Sequence, residues 1–126
     1  MSFHSFGPII PNNEGIDTIT EILATILKLV IGRGGFKPIA QGYFKYTHQF
    51  ANADNVSFSV ADFREIGKQM TYYTLADASK GVGEFMKFER GKEWREVSFE
   101  LEVGKGGYVG SGHLTRSPGT EASVDR

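Results

Sequence analysis

The sequence predicts an α+β domain in which two helices pack on one face of a five-stranded, mainly antiparallel sheet. Three observations carry that expectation. Apolar residues recur in steps of three and four at Ile16, Ile19, Leu23, Ile26, Leu27 and Val30, the spacing of one helix face. The period falls to two at Val56, Phe58 and Val60, and again at Val97, Phe99, Leu101 and Val103, as half-buried strands require. The resulting order is helix, three strands, helix, two strands, which suits an antiparallel sheet with its helices segregated to one side.

Taken in order, residues 1–13 contain Pro8 and Pro11 and read as an extended arm. Asn13 stands where a side chain can cap the first helix, and Glu14 and Asp17 sit at its positive end. Gly32-Arg33-Gly34-Gly35 stops that helix, because glycine accepts the left-handed conformation that ends helices. A strand is expected over 36–47, with Pro38 near its start, and another over 56–60 behind the turn residues Asn52 to Asn55. A third is expected over 66–73, with Met70 and Tyr72 on one side. Thr74-Leu75-Ala76-Asp77 reads as a capping box with Asp in its last position. Leu75, Ala78, Val82, Phe85 and Met86 then share a helical face, and Gly91 closes the helix. Gly81 and Gly83 cost that helix about 1 kcal/mol each relative to alanine, so it depends on packing. Trp94 leads into the strand over 97–103, Gly104-Lys105-Gly106-Gly107 makes a hairpin turn, and 108–115 returns as the last strand. The domain is expected to span 1–116, with 117–126 a flexible tail. Its core is expected to hold Ile19, Leu23, Ile26, Leu27, Phe58, Val60, Phe85, Val97, Phe99 and Leu101.

Composition narrows the function. With 126 residues, 40% of them hydrophobic, the chain is one ordinary globular domain. The absence of cysteine excludes disulfides, thiolate zinc sites, iron–sulfur ligation and cysteine nucleophiles. Fourteen basic and fifteen acidic residues leave a net charge of −1, so no global field steers the chain onto nucleic acid or an anionic membrane. The apolar stretch over 16–31 carries Asp17, Glu21 and Lys28, which marks a helix that does not span a membrane. The opening residues lack a basic leader region, and the expected address is the cytoplasm.

No residue pattern announces a reaction, a metal or a cofactor, and none of these is expected. The glycine clusters read as turns and a helix stop: Gly32 to Gly35 follows a helix where a phosphate loop precedes one, and Gly104 to Gly107 has no helix behind it. In Gly81-Val82-Gly83 the third glycine of a dinucleotide fingerprint is replaced by Met86. Arg33, Lys37, Lys45 and Arg64 beside Tyr43, Phe44 and Tyr46 are too few cations for phosphate-driven binding, so no nucleic-acid partner is expected. Glu100 and Glu102 share the wet face of one strand, with Glu93 and Glu96 just upstream, and form a candidate partner-binding row together with Tyr108. Two alternatives stand beside it. A small ligand would fit a pocket between the helix and sheet layers. A hydrolytic site would arise if His48 and His113 converged on Asp62, one imidazole acting as base and the carboxylate fixing its tautomer.

The stretch Glu93-Trp94-Arg95-Glu96-Val97-Ser98-Phe99-Glu100-Leu101, followed by Gly106-Gly107-Tyr108-Val109, resembles the end of the YezG-like immunity proteins. The order of elements is similar too: an amphipathic helix, a strand meander, a second helix and a tryptophan-led hairpin. The resemblance implies a small cytoplasmic bacterial protein that neutralises a cognate toxin by occluding it, with no catalytic activity of its own.

Overall fold

The computed structural model describes residues 1–51, 54–63, 70–89, 93–102 and 108–117. Its elements are β1 (Ser2–His4), β2 (Ile9–Ile10), α1 (Asn12–Arg33), β3 (Tyr43–Gln49), β4 (Asn55–Asp62), α2 (Tyr72–Glu84), β5 (Trp94–Arg95), β6 (Val97–Glu102) and β7 (Tyr108–Ser117). Five strands form one antiparallel sheet in the order β1-β6-β7-β4-β3, and β2 pairs with β5 in a small second sheet. The two helices cover one face of the large sheet, so the α+β architecture is the expected one. The predicted Asn52–Ala53 turn, the Arg64–Glu65 link, residues 66–69, Gly91, Val103, the 104–107 turn and the 118–126 tail lie outside the described residues.

Strand alternation is realised directly. Val56, Phe58 and Val60 of β4 and Val97, Phe99 and Leu101 of β6 point inward and are buried. Between these strands β7 contributes Gly110 and Gly112, and the space they leave is filled by neighbours. Gly112 faces Phe99 on one side and Val60 on the other. Phe58 and Phe99 stack at 5.8 Å between ring centres. A Cβ on Gly112 would lie 2.5 Å from the Phe99 ring and 2.6 Å from the Ser59 carbonyl oxygen, so only glycine fits.

The fifth strand is not the expected one. Residues 2–4 of the arm pair with β6, Phe3 opposite Phe99, and make the sheet edge. Phe3 also stacks on Phe85 at 3.9 Å, which anchors a strand too short to show a period. The region expected as a strand over 66–73 instead has Met70 buried in the core and Tyr72 opening α2. Likewise 36–42 precedes the strand, which begins at Tyr43. The two misread ends meet in a short bridge, Pro38 against Thr71, with Ile39 N–H donating to the Met70 carbonyl at 2.9 Å.

Both helix starts also shift. Asn13 lies inside α1, because the Pro11 carbonyl already accepts from Gly15 N–H at 3.0 Å and no side chain caps the helix. α2 is capped by Thr71, whose Oγ1 accepts from Thr74 N–H at 3.2 Å, one turn before the predicted cap. Of the expected core, Leu23 and Phe85 are half-buried, and Leu27 is 55% exposed because Ile22 occupies the inward position. The helices run antiparallel: Gly35, after α1, packs under the Tyr73 ring at the start of α2, and Gly83 lets Ile19 approach to 3.3 Å of its Cβ position. The glycines of α2 are therefore sites of close packing and not turns. After residue 84 the helix widens into a π-helical segment, Phe85–Glu89.

Candidate functional site

The face of the large sheet opposite the helices has no layer over it among the described residues. Strand alternation puts Ser2 and His4, Ser98, Glu100 and Glu102, Ser111 and His113, Ser57 and Ser59, and Tyr43, Lys45 and Thr47 there. This surface is a field of hydroxyls with charges and phenols at its margins. Ser98 Oγ is 2.8 Å from His113 Nδ1, and Thr47 Oγ1 is 2.9 Å from Ser57 Oγ, so cross-strand pairs hold the side chains in place.

The predicted acidic row divides. Glu100 and Glu102 lie on this open face, where the amino-terminal segment meets them. Glu100 pairs with His4, and Glu102 accepts from the terminal ammonium of Met1 at 3.1 Å. Tyr108 is beside them, its hydroxyl 3.0 Å from Ser2 Oγ. Glu93 and Glu96 are elsewhere. Arg95 Nε donates to Glu93 Oε1 at 2.6 Å, and Glu96 Oε2 accepts from Arg116 N–H at 3.1 Å. Sequence reasoning left His4 and Ser2 in the extended arm and outside the partner-binding row. Their signal is pairing with β6, which three residues of arm cannot announce.

The histidines do not converge. His113 is level with Ser59 and Lys45 across the sheet and shares the open face with them. His48 is three residues from Lys45 on β3, so it points to the helix side, where its ring lies 4.4 Å from that of Phe50. Asp62 ends β4 on that same inner face, and one of its oxygens accepts from Met70 N–H at 3.2 Å. Among the described residues no group of three acidic or imidazole side chains is arranged to hold a metal ion.

Two further features belong to the inner side. Arg116, at the end of β7, donates through Nε to Glu14 Oε1 at 2.9 Å and through its terminal nitrogen to Asp54. Glu14 is buried, and its hydrogen bond holds the Arg116 guanidinium above its ordinary pKa, with the Glu14, Asp54 and Glu96 charges adding to it. The second feature is a cleft of about 400 Å³ between α1, Gly83 of α2 and Trp94, lined by Ile16, Ile19 and Thr20 with Asn12 and Lys87 at its margin. It lies between the helices and the small sheet, not between the helix layer and the large sheet. Among the described residues no helix is long and apolar enough to cross a membrane. No family model, curated protein or solved structure matches the chain.

Proposed function

We propose that the chain is a protein-binding inhibitor, an immunity-type protein of bacterial origin that neutralises a cognate toxin in the cytoplasm by occluding it. One observation carries the reading: an uncovered sheet face rich in hydroxyls, with Glu100, Glu102 and Tyr108 grouped at one margin. Protein interfaces concentrate their affinity in a few aromatic and charged anchors, with polar contacts around them. Glu100 and Glu102 suit a basic patch on the partner, and the resemblance of the Trp94-led hairpin to immunity proteins supplies the partner's class. The test is co-expression with the toxin encoded beside it, scored by co-purification and by survival of the host. Co-purification and protection are expected, and Tyr108→Ala or Glu100→Lys with Glu102→Lys should weaken binding at least tenfold. A chain that neither binds nor protects refutes the proposal. The apolar cleft beside Trp94 favours one second reading, a small ligand-binding domain. Saturable quenching of Trp94 fluorescence by a small apolar ligand would support it, and its absence across a hydrophobic ligand panel would remove it.

A further inference from the structure

α1 keeps large apolar side chains in water on the flank that α2 leaves open. Ile16, Leu27 and Ile31 are 53%, 55% and 86% exposed. Ile16, Thr20, Leu23, Leu27 and Val30 advance in alternating steps of four and three, with Ile31 beside the last of them. That is the spacing of a seam between two packed helices. The charges next to the seam are divided along its length. Asp17 and Glu21 lie towards the start of α1 and Lys28 towards its end, all three within about 40° of one another around the helix axis. Neither Asp17 nor Lys28 has an ion-pair partner among the described residues.

We propose that this stripe is a homodimer interface, in which α1 packs antiparallel on α1 of a second copy about a two-fold axis near Leu23 and Ala24. The charge division selects both the occupant and the direction. In a parallel pair the two-fold axis runs along the helices and puts the two charged flanks on opposite sides of the seam, where neither meets the other. In the antiparallel pair a two-fold axis brings the same charged flank of each helix together, running in opposite directions. Lys28 then stands level with Ile19 of the second copy, between its Asp17 and Glu21, and the same contact repeats on the other side of the axis. A seam that runs from acidic to basic is complementary to its own reverse. The interface uses the helix layer and leaves the open sheet face free, so it is independent of the inhibitor function proposed above, although its Ile16 and Thr20 also line the cleft beside Trp94. From Ile16 to Ile31 the seam is roughly 22 Å long. Contacts of this size fall at the low end for specific interfaces, below about 1,200 Å² in total, which makes the dimer a weak one.

Sedimentation of the full chain from about 5 to about 500 µM spans the range in which such a complex forms. The expected mass rises from 13.9 kDa towards twice that value. Leu27→Glu, on an exposed position, should keep the circular dichroism and melting curve of the parent and remain monomeric throughout. Direction is read by cross-linking, since the chain has no cysteine of its own. Ala24→Cys should form a disulfide dimer with itself, whereas Ile16→Cys should not. An equimolar mixture of Ile16→Cys and Ile31→Cys chains should join the two different variants. A parent chain that stays at 13.9 kDa over the whole range overturns the proposal. So does a Leu27→Glu chain that still dimerises, or an Ile16→Cys chain that links to itself as readily as the mixture does.

Discussion

At the middle of the sheet, Phe58 and Phe99 stack over Gly112, and the space beneath the helices is filled by side chains without charge. Four residues along β7 from Gly112, the same inner face is occupied by Arg116, which ties the buried Glu14 of α1 to Asp54 and takes Glu96 at its backbone. Both regions fasten the sheet to what lies next to it, but by different physics. The centre depends on shape: a ring fills the volume that a missing side chain leaves. The end depends on pairing, since a carboxylate removed from water is stable only while its guanidinium stays. The first cannot be rebalanced by a second substitution of similar polarity, and the second can.

The largest expected effect is therefore at the centre. Phe99→Ala removes a fully buried ring and should cost about 3–5 kcal/mol in a denaturant titration. A loss below about 1 kcal/mol would contradict the stacked core described above. Gly112→Ala alone should cost about 1–3 kcal/mol through overpacking, and in the Phe99→Ala background only the part due to the ring should vanish, because the Ser59 carbonyl oxygen, 2.6 Å from the new Cβ, stays in place. At the charged end Arg116→Met should cost about 3 kcal/mol by stranding Glu14. Glu14→Leu combined with Arg116→Met should recover most of it, since replacing both partners of a buried pair by apolar groups is often close to neutral. A double variant no more stable than Arg116→Met would place this end under the same rule as the centre.

The centre was largely legible in the sequence, and the end was not. Alternation over 56–60 and 97–101 identified Phe58, Val60, Val97, Phe99 and Leu101 as inward residues, because each strand carries its own period. The helical spacing of α1 likewise placed Ile19 and Ile26 inside, but its apolar residues extend over more than one face, so Leu27 was assigned inward while Ile22 holds the place. Glu14 and Arg116 are 102 residues apart, and nothing local in either predicts the pair. The arm failed for a related reason: Ser2 to His4 become a strand only because β6 offers an edge. Met70 to Tyr73 failed because aromatic residues with strand propensity open a helix once Thr71 caps it and the segment around Ile39 takes up the Met70 carbonyl. Of the candidate residues, strand period put Glu100 and Glu102 on one wet face but said nothing of Tyr108, and Glu93 and Glu96 fall in the irregular approach to β6, where period gives no direction.

A smaller effect sharpens the comparison at a third point, where β3 meets α1. Tyr46 is half-buried, and its hydroxyl donates to Glu21 Oε2 at 3.5 Å. Burial, first, and then the Glu21 charge and hydrogen bond raise the Tyr46 phenol above its ordinary value of 10.0. A phenol whose pKa is higher in the folded chain than in the unfolded one holds its proton more tightly when folded. The stability that this confers is complete below the unfolded value and is lost as the pH rises through the folded one. The chain is therefore expected to lose a small part of its stability above about pH 10, and Tyr46→Phe should flatten that slope while leaving neutral-pH stability nearly unchanged. Phenolate absorbance, compared between the parent and Tyr46→Phe, isolates this one ring among the five tyrosines. The difference curve should have its midpoint above 10.0 and move down in Glu21→Gln, because that substitution removes the charge that opposes ionisation. A midpoint at or below 10.0 would mean that neither burial nor Glu21 opposes the ionisation of this ring.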